Sequence, residues 1–71
     1  MSTRLRLTFA DAMSASEFET AVELIQTCGM TFPSERPREF TVVVHPGQLD
    51  VLKGFLTTWQ DDGLLSYADA T

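Results

Sequence analysis

The sequence is poor in the residues that build reactive or crosslinked sites. Cys28 is the only thiol and His45 the only imidazole in 71 residues. One cysteine excludes a disulfide within the chain and any cysteine-rich metal site. A reducing, intracellular setting is the expectation that follows. Glycine is sparse, and no glycine-rich loop opens a helix, so the usual phosphate cradle is missing. No apolar run approaches the ~20 residues of a membrane helix. The opening "MSTRLRLTFADAM" has two arginines but no long apolar stretch behind them, so neither a secretory signal nor a membrane span is expected there. Bases are scarce as well: 5 Lys and Arg face 10 Asp and Glu, for a net charge of -5.

The distribution of those charges is uneven. Residues 7–35 hold Asp11, Glu17, Glu19, Glu23 and Glu35 with no base, and residues 39–71 hold Glu39, Asp50, Asp61, Asp62 and Asp69 against Lys53 alone. The other bases form two tight pairs, Arg4/Arg6 and Arg36/Arg38. Such a surface repels phosphate backbones, so direct nucleic-acid binding is not expected. It suits a basic protein surface, at least in the kinetics of encounter. The remaining composition, 44% hydrophobic and 21% charged, is that of an ordinary globular chain. One domain over residues 1–71 with a small core is the reading.

Two periodicities organise the chain. In "RLRLTF" Leu5, Leu7 and Phe9 alternate with Arg4, Arg6 and Thr8, the pattern of a strand with one buried and one open face. "REFTVVVH" alternates in the same way, with Phe40, Val42 and Val44 on one face. Its valine run suggests a central strand. "LLSYA" reads as a last short strand, Leu65 and Tyr67 sharing a face. Between them "MSASEFETAVELIQTCG" has helical spacing at Phe18, Ala21, Val22, Ile25 and Cys28, with Leu24 at the edge of the stripe. Ser14 and Glu17 fit a capping box, Met13 and Phe18 a hydrophobic staple. Gly29 fits the left-handed position that ends a helix. "PGQLDVLKGFLTTWQDDG" places Leu49, Leu52, Phe55, Leu56 and Trp59 on one stripe and ends at Asp62-Gly63. Met30 to Phe32 reads as a very short strand, followed by a loop across "PSERP".

This order, strand-helix-strand-strand-helix-strand, resembles the ferredoxin-like split βαβ sandwich, an α+β fold with two helices on one face of a small antiparallel sheet. If Met30–Phe32 is not a strand, the alternative is a three-stranded βαβαβ unit.

No residue set announces catalysis or a cofactor. His45, at a strand end before Pro46, would need a carboxylate or nucleophile beside it to act as a base, and it reads as a loop residue. Cys28 lies on the apolar stripe of the first helix and reads as a small core residue. The open-face positions Arg4, Arg6, Thr8, Thr41, Val43 and His45 include no aromatic platform on which RNA bases stack. Phe55 and Trp59 read as core, and Tyr67 as a partly exposed interface anchor.

The carboxylates remain. Glu19 and Glu23 stand one turn apart, where like charges repel. Asp61 and Asp62 lie at the negative end of a helix dipole, where cations are preferred. One reading is solubility. The other is interaction: Glu19, Glu23, Asp50, Asp61, Asp62 and Asp69 give the chain a resemblance to the small acidic inhibitors that phages encode against host nucleases, the anti-CRISPR proteins among them. The resemblance implies a non-enzymatic protein without metal or cofactor. Its partner would be a basic protein surface, that of a CRISPR effector or another nucleic-acid-binding complex, whose site it occupies in place of DNA or RNA. The alternative is a ferredoxin-like regulatory or assembly module that dimerises through its sheet or binds a small ligand.

Overall fold

The computed structural model describes residues 3–70. Six elements follow in chain order: β1 (Thr3–Phe9), α1 (Ala15–Gln26), β2 (Gly29–Pro33), β3 (Glu39–Val44), α2 (Leu49–Asp61) and β4 (Leu65–Asp69). The strands form one sheet in the order β2-β3-β1-β4, with every neighbouring pair antiparallel. This is the ferredoxin-like α+β arrangement. The three-stranded alternative falls, because β2 pairs along its whole length with β3, from Gly29↔Val44 to Pro33↔Phe40.

The alternation in the strands decides which face is covered. Leu5, Leu7, Phe9, Phe40, Val42, Val44 and Leu65 are buried beneath the helices. Ala21 and Ile25 from α1, Leu52 and Leu56 from α2, and Met13 and Cys28 beside α1 complete the core. Phe9 is its aromatic hub. Its ring meets Phe18 edge-on at 5.3 Å, stacks on Phe40 at 5.8 Å and lies 6.0 Å from Trp59. Such pairs add about 0.5–1.5 kcal/mol each beyond the area they bury.

The helix ends are set by short-range chemistry. At α1 the Ser14 hydroxyl accepts from the Glu17 N–H at 3.1 Å, and the Glu17 carboxylate accepts from that hydroxyl. The Ser14–Glu17 cap is present, closed through the side chains. At the other end Gly29 is not the helix terminator. α1 stops at Gln26 with Thr27 in the right-handed region as cap, its hydroxyl donating to the Leu24 carbonyl at 2.6 Å. Gly29 is instead the buried first residue of β2. Pro33, expected in the loop, is the last residue of β2; as an edge strand, β2 tolerates a residue without an N–H.

α2 ends as expected at Asp62-Gly63. The Gly63 N–H donates to the Gln60 carbonyl and the Leu64 N–H to the Trp59 carbonyl, both at 3.0 Å, with Gly63 at φ 74°. This is a Schellman motif, which satisfies carbonyls a helix end otherwise leaves open. No atom would obstruct a side chain at Gly63, so the constraint there is backbone conformation alone. Gly63→Ala is expected to cost about 1 kcal/mol, read as a lower denaturation midpoint, and Gly63→Asn is expected to cost less. At the start of α2, Pro46-Gly47 forms a turn in which the His45 carbonyl accepts from the Gln48 N–H at 3.1 Å, with Gly47 at φ 83°. Pro followed by a left-handed Gly is the composition of a type II turn.

Candidate functional site

The fold sorts the charges into two layers. Glu19 and Glu23 are exposed on α1, and Asp50 and Asp61 are exposed on α2, with Asp62 as its cap. Each helix has an acid in its first turn, Glu17 and Asp50, and neither has a base in its last turn. Lys53 is the one base on either helix. Asp69 lies apart from this group, at the end of edge strand β4, exposed and opposite Leu5 in the pairing with β1. The structure thus brings five of the six candidate carboxylates onto the helical layer and sets the sixth at the sheet edge.

The helical layer is not uniformly polar. A shallow groove of about 250 Å³ runs between the helices, lined by Met13, Glu17, Thr20, Ala21, Leu24 and Trp59 among others. Trp59 is half-buried against Phe9, and Leu24 is exposed. Tyr67 faces the helices rather than the open side, since it pairs with Leu7, and it packs half-buried against the core.

The arginines fall elsewhere. Arg4 and Arg6 are exposed on the uncovered face of the sheet. Glu39, on the same face, sits 3.7 Å from both Arg6 and Arg36 and joins the two arginine pairs. Arg38 is committed to structure. Its guanidinium donates to the carbonyls of Ala10, at 2.9 Å, and Met13, and lies 5.3 Å from the centre of the Phe18 ring.

Comparison with protein-family models, curated proteins and solved structures returned no match. The geometry of the chain therefore carries the functional reading.

Several residues escaped the sequence reading. The register of β2 puts Met30 beside Val43 and Phe32 beside Thr41, on the same uncovered face. Met30 is 59% and Phe32 47% exposed. The signal available was the alternation in "GMTFP", which becomes readable once the segment is known to pair with β3. His45 is exposed just beyond β3, and its backbone N–H donates to the Cys28 carbonyl at 2.9 Å. Cys28 itself is buried. Among the described residues no group of three or more His, Cys, Asp or Glu is placed to hold a metal ion. No helix among them is long and apolar enough to cross a membrane.

Proposed function

We propose that this chain is a non-enzymatic binding protein that presents its helical layer to a basic protein surface and blocks a nucleic-acid-binding partner. The observation that supports the reading is the separation of charge: Glu17, Glu19, Glu23, Asp50, Asp61 and Asp62 lie on or at the ends of the two helices, and Lys53 is the one base within either helix. Neighbouring like charges and acids at a helix C-terminus each cost some stability. A surface that accepts those costs over one layer suits recognition of lysines and arginines, as DNA does. The groove between the helices, lined by Leu24 and Trp59, supplies what a charged rim lacks, an apolar place for an anchoring side chain. Association would be steered electrostatically and weaken with salt.

Affinity capture from bacterial lysate at low and high salt tests this reading. The chain is expected to retain a DNA- or RNA-binding protein at low salt and release it to added DNA or to high salt. The variant Glu19→Gln, Glu23→Gln, Asp61→Asn, Asp62→Asn is expected to keep the fold and lose the capture. Capture that survives the four neutralisations would overturn the proposal. Asp61→Asn alone is the sharpest probe. It removes a carboxylate from a helix C-terminus, so stability should hold or rise by about 0.3 kcal/mol while partner binding weakens.

A further inference from the structure

The uncovered sheet face has the opposite character to the helical layer and is independent of the function proposed above. Arg4 and Arg6 stand there with Glu39, which also holds Arg36 of the β2–β3 loop at 3.7 Å. Arg4 takes part in no ion pair among the described residues. Beside it Met30, Phe32 and Val43 form an apolar strip across β2 and β3. Arg4, Phe32, Thr41 and Val43 together line a hollow of about 280 Å³, room for one large apolar side chain.

We infer that this face is a second docking surface, which binds an extended acidic peptide carrying an apolar anchor. In an extended segment alternate side chains point the same way. One such side chain fills the Phe32/Val43 hollow while a carboxylate two residues away reaches Arg4. Charge complementarity selects the acid, because the face is positive in a chain that is negative elsewhere.

Charge argues against a second copy of this chain as the occupant, because Arg4 and Arg6 are both exposed on this face. Face-to-face pairing would set one net positive face against another. Single-stranded nucleic acid fits less well than a peptide. Phe32 is a single aromatic on an edge strand, whereas stacking platforms align aromatics for successive bases, and the rest of the chain repels a polyanion.

The test uses a fluorescein-labelled peptide of alternating glutamate and leucine in which one central phenylalanine replaces a glutamate, so that carboxylates stand two residues to either side of it, its lysine counterpart, and oligouridylate, read by fluorescence polarisation. The acidic peptide is expected to bind. Arg4→Gln and Phe32→Ser, both at exposed positions, should each weaken it roughly tenfold, the scale of one charge-assisted hydrogen bond or one buried aromatic. The helical variant Glu19→Gln, Glu23→Gln should bind it as the parent does, which separates this surface from the acidic layer. Amide shifts on titration should cluster at Met30, Phe32, Thr41 and Val43. The inference is overturned if the acidic peptide fails to bind, if the lysine peptide or oligouridylate binds more tightly, or if the shifts cluster on the helices.

Discussion

Gly29→Ala is expected to lower stability by about 3 kcal/mol, the upper range for forcing extra volume into a packed interior. A methyl group at this position would sit 2.3 Å from the Val43 carbonyl oxygen and 3.0 Å from both the Val43 carbonyl carbon and the Val44 Cα. All three atoms are backbone of β3, so no side chain can swing aside. Relief requires β2 to move off β3, and the ladder there includes the Gly29↔Val44 pair and the adjoining bond from the His45 N–H to the Cys28 carbonyl at 2.9 Å. A domain of this length has a total stability of roughly 4–10 kcal/mol, so the substitution removes a large share of it. Thermal unfolding followed by circular dichroism should show the midpoint falling by roughly 15 °C. Gly54→Ala is the matched comparison. Gly54 lies inside α2 with nothing within 4 Å of an added Cβ, so alanine should stabilise by about 0.5–1 kcal/mol through helix propensity alone. An unchanged midpoint for Gly29→Ala would contradict the close approach of β2 to β3.

The second large effect is expected at Arg38. Arg38→Ala should cost about 2–3 kcal/mol, because it strips a charged donor from two partly buried carbonyls, those of Ala10 and Met13, and removes the cation over Phe18. Both carbonyls belong to the connection between β1 and α1. The main chain adds to the same junction, with the Phe9 N–H donating to the Arg38 carbonyl at 2.8 Å. The loss should therefore be local as well as global: amide exchange across residues 10–14 should quicken more than exchange in α2. Arg38→Lys should recover only part of the stability, since a lysine lacks the planar donor group that serves two acceptors while lying on a ring. A loss near 0.5 kcal/mol, that of an ordinary surface substitution, would show that the junction holds without Arg38.

The two cases mark where the sequence was legible and where it was not. The alternation of Leu5, Leu7 and Phe9, and of Phe40, Val42 and Val44, identified both central strands and their buried faces. The stripes through Ala21 and Ile25 and through Leu52 and Leu56 did the same for the helices. Each of these segments states its preference locally, because the periods of 2 and 3.6 are properties of the backbone. Ser14 and Gly63 were legible for the same reason, since a cap needs only its own few residues. Gly29 carried the right letter for a helix end and the wrong meaning. What requires glycine there is the carbonyl of Val43, fourteen residues away in sequence.

The acidic candidates show the same division. Helical spacing singled out Glu19 and Glu23 and the helix dipole Asp61 and Asp62, Asp50 and Asp69 joined them by charge, and no local rule states which of the six share a layer. The crossover order β2-β3-β1-β4 decided that, gathering the helix carboxylates on one side and leaving Asp69 at an edge. The exposed Phe32 and Met30 became visible only through their register with Thr41 and Val43. Local periodicity and capping chemistry, carried by the sequence itself, determined the elements, their inward faces and the excess of negative charge. Which charges stand together, which arginine is committed to backbone carbonyls and which apolar side chains stay uncovered depended on contacts between strands far apart in the chain, and only the tertiary structure decided them.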